Sequence, residues 1–589
     1  MHARRTRRVV LPAWGPLQQA ISTALNDGPA ELPRVYIDTT YSLPAGNVWT
    51  ATNTSDNNAA GTGTGNRTGC GFQYALNNCA LGDVIQLTNG AVYTGKFNCP
   101  NKGAGSQWIY VMPSDASFLP APTTSLSAIS SPLVPATHFA SMPVIQHPAT
   151  VNYDFEPALG CSGGAHHFRF VGIEFRPTYT EGRLLPSLVW LGRNSSTGNR
   201  WSDPAQLPHN FTFDRCYIHG YADYHVTCGL RLDGNYMAAV DCYFDELKNG
   251  VQDNQTINVI NGYGPFRISN NRLRSTGEVI IFGGAGIPIT NLLPADIHIF
   301  NNEFSWDPAW EDQAISYWNE SVMETRNLIL KNLLEFKTGD RVLIERNRFR
   351  DCWTNPGHST QQGQGIYIVD GDESAPDWST SRNVTVRYND VRRVGSGFMV
   401  ASNQYLQPDI TPPKKISCHD NVFEVEDRGT FFSSGWRFTS NQLDDYLFEH
   451  NTVVLTKTDS NYQTSLYDID AVITNCTVRN NIFVGEKAFR QSTGGRSPLS
   501  DPFGDCWPGG SVLNNVFVSK VASGESGDPA WVMPATNTYD RSASFPANVS
   551  TIGFVDFVNG NYRLDAGSAF KNAGTDGKDL GADLDLVAA

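Results

Sequence analysis

Five short stretches set charged or amide side chains among aliphatic ones: Gly229-Leu230-Arg231-Leu232-Asp233, Thr256-Ile257-Asn258-Val259-Ile260, Glu278-Val279-Ile280-Ile281-Phe282, Leu333-Leu334-Glu335-Phe336-Lys337 and Ile366-Tyr367-Ile368-Val369-Asp370. Read as strands with the aliphatic residues inward, they turn Arg231, Asp233, Asn258, Glu278, Glu335, Lys337, Tyr367 and Asp370 outward. If the strands stack about 4.8 Å apart, these residues form one external stripe of carboxylates, an amide and two cations, each within reach of the next. Cleaving a glycosidic bond by hydrolysis needs two carboxyl groups about 5–9.5 Å apart, one acid and one base or nucleophile. Glu278 and Glu335 meet that requirement. Elimination instead needs a base such as Lys or Arg beside a uronate carboxyl group, and a cation or calcium to hold the developing charge. Lys337 is the candidate base, Arg231 and Asp233 complete the catalytic candidates, and Asp370, Asp372 and Glu373 could hold calcium. The same residues also fit a solvated face with weak cross-strand pairing. Asp253 with Gln255, and His219 with His225, fit bend or core roles better than chemistry.

Aromatic residues gather near this stripe. The segment between Phe304 and Arg346 carries Trp306, Trp310 and Trp318, and the one after Phe349 carries Trp353 and Trp378. Both inserts are expected to leave from third strands and to flank the stripe. Aromatic faces beside a polar groove suit sugar rings, and loops this long are usually functional. The plainer alternative is that two or three of the five pack the loops down. Asn258, Tyr367 and Asp370 join the Trp residues as candidate substrate contacts.

The elements that must hold these residues announce themselves by repetition. A polar pair followed by an apolar residue returns about every 30 residues, as Asp241-Cys242-Tyr243-Phe244, Asn270-Asn271-Arg272-Leu273, Asn301-Asn302-Glu303-Phe304, Arg346-Asn347-Arg348-Phe349, Tyr388-Asn389-Asp390-Val391, Asp420-Asn421-Val422-Phe423, His450-Asn451-Thr452-Val453 and Asn480-Asn481-Ile482-Phe483. Each copy follows an alternating apolar run such as Ile297-His298-Ile299-Phe300 or Val384-Thr385-Val386. A fixed period of this size signals a solenoid whose turns bury their apolar faces by stacking, and the runs have strand periodicity. Asn tolerates left-handed backbone angles and bonds locally, so it suits a tight bend. Stacked, these Asn side chains form a ladder. The expectation is an all-β, right-handed parallel β-helix, a three-strand solenoid with Asn-rich bends, an N-terminal helical cap and long loops flanking a groove.

Residues 1–34 read as a poorly anchored lead-in. Residues 35–160 supply the cap and first turns, with a short helix at Phe72-Gln73-Tyr74-Ala75-Leu76-Asn77. Residues 161–518 form the regular body, and 519–589 form a tail packing back along the last turns. Asp576-Gly577-Lys578-Asp579 in that tail fits turn chemistry better than a calcium loop. The net charge of −14 argues against nucleic acid, since no basic stripe exists to neutralise phosphates. It also suits polyuronates poorly unless a local basic groove overrides it. No stretch is long and apolar enough to span a bilayer, and the Arg-rich start lacks the core of a signal peptide. Low charge, polar loops and 11 Cys nevertheless suit an extracellular or cell-surface protein. Cys70 and Cys79 are a plausible disulfide. Cys216 and Cys242 fit stacked core thiols and a bridge equally well.

Several stretches resemble a group of exported bacterial proteins with right-handed parallel β-helix repeats. They are Val35-Tyr36-Ile37-Asp38-Thr39-Thr40-Tyr41, Gly164-Ala165-His166-His167-Phe168-Arg169-Phe170-Val171-Gly172-Ile173-Glu174, Asp214-Arg215-Cys216-Tyr217-Ile218-His219-Gly220, Gly264-Pro265-Phe266, Phe282-Gly283-Gly284 and Lys331-Asn332-Leu333-Leu334-Glu335-Phe336-Lys337. The resemblance implies the fold and, through the wider pectin-lyase-like superfold, a polysaccharide lyase, a glycoside hydrolase or a tailspike-like role; fold alone does not choose among them. The resulting expectation is a secreted polysaccharide-active enzyme, of lyase or hydrolase type. The alternative is a non-catalytic glycan-binding adhesin or structural surface protein.

Overall fold

The computed structural model describes residues 28–122, 136–148, 155–319, 322–352, 363–370, 378–401, 413–425, 432–434, 442–455, 468–469, 472–485, 509–519, 536–541 and 546–588. Its strands form three long sheets of 11, 15 and 14 strands, and each turn of the regular body contributes one strand to each. One turn runs through Glu278–Phe282 in sheet 1, Ala295–Phe300 in sheet 2 and Glu303–Ser305 in sheet 3. Every neighbour in these sheets is parallel, as in Glu335↔Tyr367, Ile299↔Ile344 and Phe304↔Phe349. The chain is a right-handed parallel β-helix, the hand that parallel crossovers take almost without exception.

The bend between sheets 2 and 3 explains the repeated phrase, with its two positions doing different work. The first takes the left-handed region at Asn270, Asn301, Arg346, Tyr388, Asp420, His450 and Asn480, with φ between 50° and 59°. That position accepts Arg and Tyr as well as Asn. The second position needs Asn for its amide. Asn347 Nδ2 donates to the Ile299 and Glu345 carbonyls and to Asn389 Oδ1, while its own Oδ1 accepts from the backbone N–H and Nδ2 of Asn302. The pattern repeats through Asn271, Asn302, Asn347, Asn389, Asn421, Asn451, Asn481, Asn515 and Asn537. All but Asn537 are buried, where a missing partner costs most. Cys242 and Cys216 continue the ladder toward the N-terminus as thiols: Cys242 N–H donates to Asn271 Oδ1, and Cys216 N–H to Cys242 Sγ at 3.4 Å. The ten described cysteines are free and buried, so the expected Cys70–Cys79 disulfide is not formed. Helix geometry instead turns the Cys79 thiol onto the Leu76 carbonyl.

Inside, aliphatic columns alternate with ring stacks such as Phe304–Phe349 at 4.4 Å and Phe483–Phe517 at 4.8 Å. The helix Phe72–Asn78 closes the N-terminal end by burying Phe72, Ala75 and Leu76. Each large side chain so buried contributes about 2 kcal/mol. The end of the lead-in meets the barrel through Glu31 N–H on Asn383 Oδ1 and Arg34 N–H on Asp296 Oδ1, and the segment that follows it is held too. Tyr36 packs edge-on against His298, Arg267 donates to Ile37 O, and Arg169 donates to Thr39 O and Thr40 O. These outward arginines of sheet 2, unread in the sequence, hold it there. The tail lies on the outer face of sheet 3, where Tyr562, Ile552 and Leu580 cover Val422, Val454, Ile482 and Val516. Asp579 pairs with Lys571 and Asp576 with His450, as turn chemistry requires.

Candidate active site

The first-strand stretches form sheet 1, but the outer stripe has a different register from the one expected. Reading across the strands, one outer column runs Trp190, Arg231, Asn258, Ile281, Glu335, Tyr367, Met399. Ile281 interrupts the polar run there. Glu278 stands at the start of its strand, beside Gln255 on one side and Asn332 and Gln364 on the other. At this corner the alternation resets, because both Val279 and Ile280 enter the core.

The corner gathers a compact charged cluster. Lys331, the residue just before the strand Asn332–Phe336, places Nζ 2.5 Å from Glu278 Oε1 and 2.8 Å from Asp253 Oδ2. Gln255 Nε2 donates to Glu278 Oε2 at 2.8 Å. Asn332 Nδ2 donates to Glu335 Oε2 at 2.7 Å, and Lys337 Nζ lies 3.7 Å from Glu335 Oε1. Glu278 and Glu335 are each 1% exposed, whereas Asp253 is exposed and both lysines are half-buried. Burial raises the Glu278 carboxyl to about 7; the Lys331 ammonium opposes this, and Asp253 and Glu335 reinforce it. Lys331 is driven the other way: burial would lower it, but the carboxylates of Glu335, Glu278 and Asp253 hold it well above the usual ammonium range. Two buried side-chain oxygens at the corner, Asn332 Oδ1 and Gln364 Oε1, accept no hydrogen bond. The cluster therefore offers a carboxyl group whose proton affinity burial raises, a second carboxyl group, a fixed cation and two idle acceptors.

Other expected residues fall elsewhere. Asp233, just past its strand end, is fully buried. It pairs with Arg200 at 2.9 Å and accepts from the Ile260 and Asn261 amides, so it closes a corner. Arg231 lies over the Trp190 ring at 4.7 Å and donates to Pro186 O, away from Glu278 in register. Asn258 donates to Gly283 O at 3.2 Å and is 4% exposed. Tyr367 lies next to Glu335, packed against Val369, Met399 and Ala401. Asp370 is fully buried at the end of its strand, while Asp372, Glu373 and Trp353 lie outside the described residues.

The insert after Phe304 leaves sheet 3 as expected and folds as a hairpin, Ala314–Asn319 against Val322–Asn327. It does not line the stripe with rings. Trp310 is buried between Lys248 and Arg274, each 5.2 Å from its ring. Trp318 is half-buried, its N–H on Gly182 O and Arg183 6.0 Å from its ring. Trp306 is buried with the main core and borders a hollow on the outer face of sheet 3. Trp378 lies between Gln364–Val369 and Ser381–Arg387, on the opposite side of sheet 1 from the third-strand inserts. His219 pairs with Glu174 at 3.0 Å, and His225 bonds Ser316 O and Asn249. Lys331, Asp253 and Gln255 are the contributors that the strand pattern did not single out.

Among the described residues no helix is long and apolar enough to cross a membrane. No family model matches the chain, and no curated protein matches it. Solved structures with similar folds include an alginate lyase from Paenibacillus sp. (11% identity, 71% of this chain and 97% of that one, TM-score 0.34). Others are a pectate lyase (11%, 91% and 95%, 0.33) and a polygalacturonase from Erwinia carotovora ssp. carotovora (9%, 86% and 100%, 0.24). At these identities and scores they carry nothing about chemistry, which rests on this chain's own residues.

Proposed function

We propose that the protein is an extracellular enzyme that hydrolyses a polysaccharide at the corner of sheet 1, with Glu278 as general acid and Glu335 as base or nucleophile. The observation that carries this reading is the pairing of Glu278, whose carboxyl is raised to about 7, with a second carboxyl group, Glu335, on the neighbouring strand and bonded to Asn332, the register partner of Glu278. An acid poised near the working pH and a partner carboxylate are what glycoside hydrolysis requires. Lys331 fixes the orientation of Glu278, and Asn332 that of Glu335. An elimination mechanism would instead use Lys337, whose Nζ lies 3.7 Å from Glu335 Oε1, as its base. Calcium bound by Asp370 and its neighbours belongs to the elimination reading.

The near-complete burial of both glutamates favours one other reading, a non-catalytic glycan-binding protein in which the cluster ties neighbouring turns together. One experiment separates them. Purified protein, with and without calcium, is incubated with neutral and acidic polysaccharides while reducing ends and ultraviolet absorbance of unsaturated products are followed together. Reducing ends without absorbance, abolished by Glu278→Gln, are expected. Rising absorbance would make the enzyme a lyase and Lys337→Ala the next variant. Binding without any cleavage would leave the adhesin or structural reading.

A further inference from the structure

The outer face of sheet 3 changes character along the rod. Where the tail does not cover it, the strands Arg272–Arg274, Glu303–Ser305, Arg348–Cys352 and Asp390–Val394 line a hollow of about 650 Å³. Five arginines and four carboxylates border it. The carboxylates are taken: Glu303 pairs with Arg272, Asp307 with Arg274, Asp351 with Arg393, and Asp390 with Arg350 and Arg392. Arg348 has no ion pair among the described residues, although Glu303 and Asp390 are its register neighbours. Trp306, 4% exposed, lines the same hollow with its indole Nε1 buried and without an acceptor. A second hollow of about 300 Å³, walled by Gly560, Asn561 and Arg563 of the tail, shares Arg348 and Asp390 with the first. The two make a single cleft with Arg348 at its waist.

We infer that this cleft binds an oligosaccharide bearing carboxylate groups. A guanidinium with no protein carboxylate takes a ligand carboxylate as a two-pronged fork, the strongest hydrogen-bonded geometry open to Arg. The remaining polar wall meets sugar hydroxyls. Three inter-strand spacings give the first hollow a length of roughly 14 Å, which suits a chain of rings rather than a lone small anion. The chain carries a net charge of −14, so an uncompensated arginine also gives an acidic polymer a local point of approach. The cleft is distinct from the Glu278 cluster, and its occupancy does not depend on hydrolysis there.

Calorimetric titration of the full chain with oligogalacturonate, with an uncharged glucan of equal length and with a heparin oligosaccharide tests the assignment. Oligogalacturonate is expected to bind and the glucan to bind at least tenfold more weakly. Arg348→Ala should weaken oligogalacturonate binding at least tenfold without moving the thermal midpoint. A preference for heparin would overturn the carboxylate assignment in favour of sulfate. Unchanged affinity in Arg348→Ala, or no binding by the wild type, would overturn the cleft as a site. Glu278→Gln should keep the Arg348-dependent binding, so failure of either reading leaves the other to be judged separately.

Discussion

Two edges of the same solenoid solve the same problem, turning the chain from one sheet to the next, in opposite ways. At the edge between sheets 2 and 3 the turn is two residues long. Every ladder amide from Asn302 to Asn481 bonds its neighbours on both sides. At the edge between sheets 3 and 1 the connection ranges from a few residues to a hairpin-bearing insert. Two buried oxygens there, Asn332 Oδ1 and Gln364 Oε1, go unbonded. The first edge spends its polar groups on register. The second leaves charge and unused hydrogen-bonding capacity at one place, the usual mark of a working site rather than a supporting one.

The largest test of this contrast is Asn347→Ala. It orphans the backbone N–H of Asn302 in the interior and takes the amide donor from the Ile299 and Glu345 carbonyls and Asn389 Oδ1, so stability should fall by on the order of 3 kcal/mol or more. Chemical denaturation reads this directly, and a loss under about 0.5 kcal/mol would mean the ladder is decorative. Glu278→Gln should invert the pattern, with cleavage down about 100-fold or more and the unfolding midpoint moved much less than by the ladder change. If stability falls and no activity existed to lose, the two edges are alike and the cluster is structural. A smaller effect appears in the pH profile. Between 4.5 and about 7 the folded chain holds a proton on Glu278 that the unfolded chain has released. Stability therefore falls as pH rises through that window, by up to about 1.4 kcal/mol per pH unit, and activity that needs the protonated acid declines above it. The difference between wild type and Glu278→Gln isolates this term. Smallest of all, Asn332→Ala at the corner should cost about 1 kcal/mol, since one of its two polar atoms has no partner to lose.

The ladder could be read from the sequence because each rung repeats the same two-residue phrase after the same alternating run. The alternation also carried Glu335 to the outer face of sheet 1. It misplaced the rest for a local reason: parity holds only within a strand. At Val279 and Ile280 two successive residues enter the core, which detaches Glu278 from the column of Asn258 and brings it to Gln255 and Lys331. At the other strand end the chain turns, and Asp233 caps amides instead of facing solvent. Lys331 precedes its strand and so belonged to no pattern. Trp306 and Trp378 were assigned by sequence proximity to loops, which does not say on which side of a strand a ring will fall. The arginines on the outer faces of sheets 2 and 3 went unread because net charge averages over a surface that is locally uneven.

The ladder also has a direction. From Asn271 onward each backbone N–H and each Nδ2 donates to the next rung toward the C-terminus, and no rung donates its amide to the one before. Removing a turn from the N-terminal side deprives the next Asn of donors, leaving an under-used oxygen. Removing one from the C-terminal side strands buried N–H groups, which proteins tolerate far less. The rod is therefore a one-way structure that frays cheaply at its beginning and expensively at its end, and shortened chains should keep their fold best when cut from the front.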